Sequence, residues 1–280
     1  MKKISRRSFL AAAGLSVAAL ALTACGGSSA STASSVASSA AASSEAASTS
    51  AAAGELTTVE AGKLTMATNA TFPPYEMTTD AGDIEGIDVE TAQAIADKLG
   101  LELQIDDMDF DAALLSVQQG KADIVMAGVT VTDERKAVMD FSDSYATGIQ
   151  SIIVPEGSDI ASPDDLAGKK IGTQRGTTGY IYCSDDFGDD AVVAYDNGLT
   201  AVQALNNGQV DAVVIDNAPA KEYVAANPGL AILDTSYAEE DYAIGMAKGS
   251  SLEAAVNAAL EELKADGTLQ SIVDKYITAD

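Results

Sequence analysis

The sequence predicts an α/β fold of two lobes that face each other across a cleft. Short apolar strands alternate with amphipathic helices, glycines end several of those helices, and the alternation runs in two successive series. Strand–helix–strand order predicts mainly parallel sheets with helices on both faces. Ligands bind beyond the carboxyl ends of such strands, so two facing lobes would form a binding cleft.

The first series starts at residue 63. Its predicted elements are the strand Lys63–Ala67, the helix Asp88–Leu99, the strand Leu101–Ile105, the helix Asp111–Gln119 and the strand Asp123–Ala127. We expect Asp88 to cap the first helix, and Gly100 and Gly120 to end the two helices. Thr132 is expected to cap a further helix, whose first residues Asp133 and Glu134 suit its positive end.

The second series repeats the pattern. Its predicted elements are the extended segment Ser151–Pro155, a helix start at Ser162–Asp165, the strand Lys170–Gly172, a helix opened by Gly176–Gly179, the helix Leu199–Asn207, the strands Asp211–Ile215 and Ala243–Ala247, the helix Leu252–Ala265 and a short helix through Tyr276. Pro163 suits the first position of a helix, and Gly208 and Gly267 suit helix ends.

Residues 1–24 have the features of an export signal, with basic residues before a short apolar stretch. Leu22–Cys25 resembles a bacterial lipobox, in which cleavage precedes the cysteine and a diacylglycerol is added to its sulfur. Cys25 is therefore the predicted lipidation site. Arg6 and Arg7 fit a twin-arginine export motif, and they fit the basic region of an ordinary secretory signal equally well.

Residues 25–55 are predicted to be a tether. Gly26–Gly54 consists of Ser, Ala, Thr and Gly apart from Val36 and Glu45, and such a segment buries too little apolar area to offset its ordering entropy. A lipidated cysteine followed by a tether would hold the folded part at the outer face of the cytoplasmic membrane.

Charge and composition exclude several classes of function. The net charge is −26, and removal of residues 1–24 takes away four positive charges and makes it −30, so we expect no binding of nucleic acid. The chain has no histidine, which excludes Ser-His-Asp and Cys-His catalysis. Two cysteines and no calcium-loop spacing predict no metal site, and we expect no cofactor. Cys183 is expected to be a small buried side chain.

Two turns after predicted strands could bind an anion. Arg135 lies just beyond a turn rich in Gly and Thr, and Arg175 precedes the similar turn Gly176–Thr178. Backbone N–H groups at such turns and a planar guanidinium both suit a carboxylate. A surface ion pair is the alternative for Arg135.

Asp216 directly follows the predicted buried strand Asp211–Ile215, at its carboxyl end, and precedes the helix breaker Pro219. It could bind an ammonium group, or it could cap the following helix. Arg135 and Asp216 together would recognise a zwitterion. Phe72 and Phe110 could hold a small side chain between their rings, whereas Tyr75 fits the core better.

Eight stretches, in order, resemble family 3 of the extracellular solute-binding proteins, the polar-amino-acid receptors of ABC importers. The stretches are Ala70–Glu76, Gly86–Glu90, Met108–Asp111, Ala127–Arg135, Asp140–Tyr145, Gly176–Thr178, Gly208–Asp216 and Ala265–Thr268. The resemblance covers residues from about Lys63 to Ile277. It implies the type II periplasmic-binding-protein fold, in which a hinge of two crossings joins the lobes across the cleft. The first lobe comprises residues 56–146 and 243–280, and the second comprises residues 147–242.

The resemblance also implies roles in the cleft. The Arg135 position holds an α-carboxylate, with help from Gly128, Thr130 and Thr178. The Asp216 position binds the α-ammonium. The remaining ligand-binding positions are Asn69, Phe72, Phe110, Ala127 and Gln174, of which the two aromatic rings pack on the ligand side chain and the two amides lie near its end.

Two residues depart from the family pattern: Ile87 replaces a usual Phe, and neutral Gln174 stands where some members have Lys. Because Asn69 and Gln174 are both neutral, we expect a polar, uncharged ligand side chain. Glu76 or Asp111 could instead lie close enough to favour a cation.

The resemblance implies a monomeric binding protein that delivers an amino acid to a membrane permease, and it implies no catalysis. The alternative is an enzyme on the same fold that resembles cyclohexadienyl (arogenate or prephenate) dehydratases. Such an enzyme needs an acid in the cleft, and we expect Glu76, the only candidate, to face solvent. A receptor's sensing domain would need membrane helices, and none is predicted after Leu22.

Overall fold

Two β-sheets, one in each lobe, organise residues 56–277, the part of the chain that this computed structural model describes. The strands are β1 (Lys63–Thr68), β2 (Thr71–Phe72), β3 (Glu76–Thr78), β4 (Ile84–Glu85), β5 (Glu102–Asp107), β6 (Ile124–Val125), β7 (Met139–Phe141), β8 (Ala146–Pro155), β9 (Ile171–Gln174), β10 (Val192–Tyr195), β11 (Ala212–Asp216), β12 (Leu230–Ile232), β13 (Ala238–Tyr242) and β14 (Gly245–Ala247). The α-helices are α1 (Ile87–Leu99), α2 (Phe110–Gln118), α3 (Asp133–Val138), α4 (Thr178–Phe187), α5 (Gly198–Asn206), α6 (Asn217–Ala226), α7 (Glu253–Ala265) and α8 (Thr268–Tyr276). Two short 3₁₀ helices span Pro163–Leu166 and Asp189–Ala191.

The first-lobe sheet has the strand order β5-β1-β6-β14-β7. Strands β1, β5 and β6 are parallel, as predicted, whereas β14 is antiparallel to both of its neighbours. The sheet is therefore mixed. The difference arises because β14 belongs to the segment that returns from the second lobe and enters the sheet from the opposite direction.

The second-lobe sheet has the order β10-β9-β11-β8-β12, and β13 also pairs with β8. Strands β9, β10 and β11 are parallel, and β8 is antiparallel to β11, β12 and β13. This sheet is mixed for a similar reason: β8 carries the chain into the lobe, and its direction is set by that crossing.

The two crossings between the sheets pair with each other. Strands β8 and β13 form an antiparallel ribbon whose register runs from Ala238 opposite Gln150 to Tyr242 opposite Ala146. Gly148 packs directly under the Tyr242 ring, and a Cβ atom on Gly148 would lie 2.4 Å from that ring. No side chain fits at position 148, so this glycine permits the close approach of the two crossings.

A small sheet of strands β2, β3 and β4 lies beside the first-lobe sheet and was not predicted. Its strands are two or three residues long, too short to show an alternation of apolar and polar residues. The register places Phe72 opposite Glu76.

The predicted helices and strands are present, with ends shifted by a few residues, and one predicted cap is wrong. Gly86 occupies the N-cap of α1, and Asp88 lies within the first turn. The Asp88 carboxylate accepts hydrogen bonds from the Gly128 N–H at 3.0 Å and the Tyr145 hydroxyl at 2.7 Å. Gly100 ends α1 in the left-handed conformation, and the Thr132 hydroxyl accepts the Arg135 N–H, as predicted. None of the helices within residues 56–277 has the length and apolar character to cross a bilayer.

Candidate functional site: the cleft between the lobes

Every residue predicted to bind the ligand lines one cavity between the two sheets. The first lobe contributes Asn69, Phe72, Phe110, Ala127, Gly128, Thr130 and Arg135, and the second contributes Gln174, Thr178 and Asp216. Most of them lie just beyond, or at the end of, β1, β5, β6, β9 and β11. The carboxyl edges of the parallel strands in both lobes therefore face the same cavity.

Arg135 is buried, and its guanidinium bridges the two lobes. One Nη donates to the Thr130 carbonyl at 2.7 Å, and the other donates to the Gly176 carbonyl in the second lobe at 3.1 Å. The Phe110 ring lies 5.3 Å from the guanidinium carbon. Among residues 56–277, no carboxylate forms an ion pair with Arg135, and burial lowers its pKa. A buried cation that lacks an ion pair suits an incoming carboxylate.

Asp216 is buried at the end of β11 and does not cap α6 through its side chain. Its carboxylate accepts hydrogen bonds from the Tyr242 hydroxyl and from the Gln150 amide, the latter at 2.8 Å. Burial, together with the negative charge of Glu240, raises the pKa of Asp216 to about 7. The ionised form thus needs a positive partner, and a ligand ammonium would supply one.

Glu240 is a second carboxylate next to Asp216, and the sequence analysis did not identify it. The Gln150 amide also donates to Glu240, at 2.9 Å, and the Thr130 hydroxyl donates to the same oxygen at 3.1 Å. The side chains of Gln150, Glu240 and Thr130 thus connect β8, β13 and the turn after β6. Glu240 sits in an acidic run, Glu239–Asp241, that looks like a solvated surface in the sequence. Gln150 is a polar residue within an apolar strand, and this position was a weak indication in the sequence that its side chain has a specific partner.

Amide groups from opposite lobes meet in the cleft. The Gln174 amide donates to the Asn69 side-chain oxygen at 2.9 Å, and the Asn69 amide donates to the Met108 carbonyl at 2.9 Å. Away from these groups, the Tyr223 hydroxyl in the second lobe donates to the Thr71 carbonyl in the first at 2.5 Å. The Gln174–Asn69, Tyr223–Thr71 and Arg135–Gly176 bonds join the lobes in a closed arrangement.

Phe72 lies in the wall of the cavity and stacks on Tyr75, with 5.9 Å between the ring centroids. Tyr75 packs edge-on against Tyr242 at 5.3 Å and belongs to the core, as expected. Arg175, by contrast, lies at the surface near Asp196, at 3.7 Å. Of the two anion-binding turns, only the Arg135 turn brings its arginine into the cleft.

The expectation that Glu76 faces solvent is wrong. Glu76 is completely buried and lines the cavity, next to Asp88. A charged side chain in a short segment is expected to be exposed. The pairing of β3 with β2, however, places Glu76 opposite Phe72 and turns its side chain into the cavity. Cys183 is buried, as expected. Within residues 56–277, no three Asp, Glu or Cys side chains are grouped to hold a metal ion.

The sequence profile of the bacterial extracellular solute-binding proteins, family 3, matches residues 64–279. The chain belongs to this family. The match confirms the resemblance found in the eight stretches, and with it the two-lobed fold with a hinge and cleft. A solute-binding protein has to enclose its ligand. This requirement accounts for the two sheets whose strand ends line the same cavity.

Individual relatives of this solute-binding protein agree with the match. The L-cystine-binding protein TcyJ of Escherichia coli K12 is 34% identical over 226 residues, which are 79% of this chain and 85% of TcyJ. Two solved structures of an ancestral arginine-binding protein are each 43% identical. The structure bound to glutamine has a TM-score of 0.75, and the matched residues make up 78% of this chain and 99% of the ancestral chain. The structure bound to arginine has a TM-score of 0.74, and the matched residues make up 77% of this chain and 98% of the ancestral chain.

Proposed function

We propose that this protein captures a free L-α-amino acid in the cleft and delivers it to the permease of an ABC importer. The observation that carries the proposal is the pair Arg135 and Asp216, which line one cavity from opposite lobes. Arg135 binds the α-carboxylate together with the turn at Gly128–Thr130 and with Thr178, and Asp216 binds the α-ammonium. The names of the relatives, which bind cystine, arginine or glutamine, support an amino acid as the ligand.

Closure of the lobes is the step that links binding to delivery. The ligand contacts both lobes, so its binding energy favours the closed arrangement over the open one. Closure also removes water from the Arg135 and Asp216 contacts, which strengthens them. The closed form is the one that a permease would recognise, and the protein acts as a monomer.

The cleft supports binding better than it supports dehydratase chemistry. Glu76 lies in the cavity, but it is completely buried beside the carboxyl of Asp88, to which a protonated Glu76 can donate its hydrogen bond. An acid held in this way is poorly placed to protonate a leaving group. The relatives are named as binding proteins, which also favours binding. Incubation with arogenate or prephenate should give no product.

A ligand screen tests the proposed function. Thermal unfolding of residues 56–280 should be measured with each of the proteinogenic amino acids and cystine, because a ligand that binds the native state raises the melting temperature. Calorimetry with glutamine, cystine, arginine and glutamate then ranks the side chains. The neutral amides of Asn69 and Gln174 predict that glutamine or cystine binds more tightly than arginine or glutamate at neutral pH. Tightest binding of arginine or glutamate would contradict the prediction of a neutral side chain, and no stabilisation by any of these compounds would contradict the proposed function.

The membrane anchor is proposed from Cys25, which lies outside the described residues. The lipobox before the Ser- and Ala-rich tether predicts that Cys25 carries a lipid. The mature chain is strongly acidic and is repelled by anionic lipids, so that the acyl chains have to provide the attachment. Cys25→Ala should release the protein from membranes, measured by fractionation and by incorporation of radiolabelled fatty acid. Cys183→Ala is the matched control, and it should remain membrane-bound and labelled.

A further inference from the structure

Glu76 is the carboxyl group in the cleft that the proposed function leaves unused. It is fully buried, it lines the cavity, and no hydrogen-bond donor within residues 56–277 reaches either of its oxygens. A buried, ionised carboxylate without a donor is strongly disfavoured. Either Glu76 holds a proton, or a positive group comes to lie against it.

Asp88 is the group that can share a proton with Glu76. The Asp88 N–H donates to the carbonyl of Tyr75, the residue before Glu76, at 2.9 Å, and both carboxyls are completely buried. Asp88 already accepts from the Gly128 N–H and the Tyr145 hydroxyl, so its negative charge is stabilised by two donors. A protonated Glu76 can donate a hydrogen bond to the ionised Asp88.

The other titratable groups around Glu76 also favour its protonated form. Asp216 at the end of β11 and Asp107 at the end of β5 add negative charge, and the nearby hydroxyls belong to Tyr75, Tyr145 and Tyr223. Arg135 is the basic side chain that lines the same cavity, and its guanidinium bonds the Thr130 and Gly176 carbonyls. Burial first, and then Asp88, holds the pKa of Glu76 well above its usual range.

The position of Glu76 places it beside the part of the cavity assigned to the ligand side chain. Residues directly opposite each other in an antiparallel pair project from the same face, and Glu76 stands opposite Phe72. Phe72 is the ring proposed to pack on the ligand side chain. A cationic side chain that lies along Phe72 would therefore come close to Glu76.

We infer that Glu76 and Asp88 hold one proton between them, and that a cationic ligand side chain displaces it while a neutral polar side chain does not. The inference rests on the proposed function, because it concerns a bound amino acid. The displaced proton passes to the solvent, and Glu76 becomes the ionised partner of the cation. Glu76 thus lets one cleft accept both side-chain types, with a preference that depends on pH.

The direction of the pH effect follows from linkage. Binding that releases a proton becomes tighter as the pH rises, by at most about tenfold per pH unit for one proton. The affinity for arginine should therefore rise relative to that for glutamine as the pH increases. The guanidinium keeps its charge throughout, and the α-ammonium is common to both ligands.

Calorimetry in buffers of different ionisation enthalpy counts the protons released. The measurement is made at about pH 8, where Asp216 is mostly ionised because its pKa is about 7. We expect arginine to release up to one proton more than glutamine. In Glu76→Gln this difference should vanish, and the affinity for arginine should fall at least about tenfold more than the affinity for glutamine.

We expect the Glu76→Gln variant to fold, because the new amide can donate to Asp88 as the protonated carboxyl does. Glu85→Gln, in the neighbouring strand β4 and outside the cavity, is the matched control and should behave as wild type. Equal proton release with both ligands, a difference that persists in Glu76→Gln, or failure of arginine to bind at any pH would overturn the inference. If no amino acid binds at all, the proposed function fails and the inference fails with it. If one of these contrary results is obtained while glutamine binds to the wild-type protein, only the inference fails.

Discussion

Arg135→Ala is expected to weaken amino-acid binding by roughly 30-fold to several-thousand-fold, or ~2–5 kcal/mol. The variant would leave the ligand carboxylate enclosed in the cleft without its charge-assisted partner. It would also remove the guanidinium that bonds the Thr130 and Gly176 carbonyls, and so one of the links between lobes. Titration calorimetry with the best ligand measures the loss, and circular dichroism reports whether the fold survives.

A second variant at this position separates the effect of charge from that of geometry, and a variant of Arg175 provides the control. Arg135→Lys keeps the charge but should still bind poorly, because an ammonium cannot form the planar, bidentate contact with a carboxylate. Arg175→Ala is the matched control, since Arg175 is exposed and lies outside the cavity. Near-wild-type affinity in Arg135→Ala would make Arg135 a structural link between the lobes and no part of the ligand site.

Asp216→Asn is expected to reduce affinity to a comparable extent, because the ligand ammonium would lose its ionised partner in a buried site. The variant also places an amide where the Gln150 amide now donates, so that the local hydrogen bonds rearrange. Asp190→Asn, at an exposed position in the same lobe, is the matched control. Calorimetry measures both variants beside their circular dichroism spectra. Loss of structure together with affinity would point to a structural role for Asp216.

The pH dependence of binding provides a second readout for the same residue. The pKa of Asp216 is about 7, so its protonated fraction rises as the pH falls through that value. Only the ionised form attracts an ammonium group, and wild-type affinity for glutamine should therefore fall below about pH 7, by at most about tenfold per pH unit. The dependence should be absent from Asp216→Asn. A pH-independent affinity in the wild-type protein would contradict the assignment.

The sequence allowed the main elements and the binding turns to be predicted because their signals are local. Thr132 caps the helix that carries Arg135, and Gly100 ends α1 in the same lobe, as short-range rules require. Asp216 was placed at a strand end by the apolar run before it. Such features depend on a few neighbouring residues, so they are visible in one sequence.

The remaining features depend on contacts between distant segments. Asp88 was predicted to cap its helix, but its carboxylate reaches Gly128, forty residues away. Glu76 was predicted to face solvent, and pairing in the small sheet buries it. The link of Gln150 to both Asp216 and Glu240 likewise requires strands β8, β11 and β13 to be adjacent, which strand order alone does not reveal.

The ribbon formed by β8 and β13 limits how the lobes can move. Because the two crossings are hydrogen-bonded to each other along five residue pairs, they bend and twist together and cannot act as independent linkers. Opening and closing then approximates motion along a single coordinate. One distance across the cleft, followed by a pair of spin labels or fluorophores, should therefore suffice to count closed molecules, and every ligand that closes the cleft should shift the same two populations.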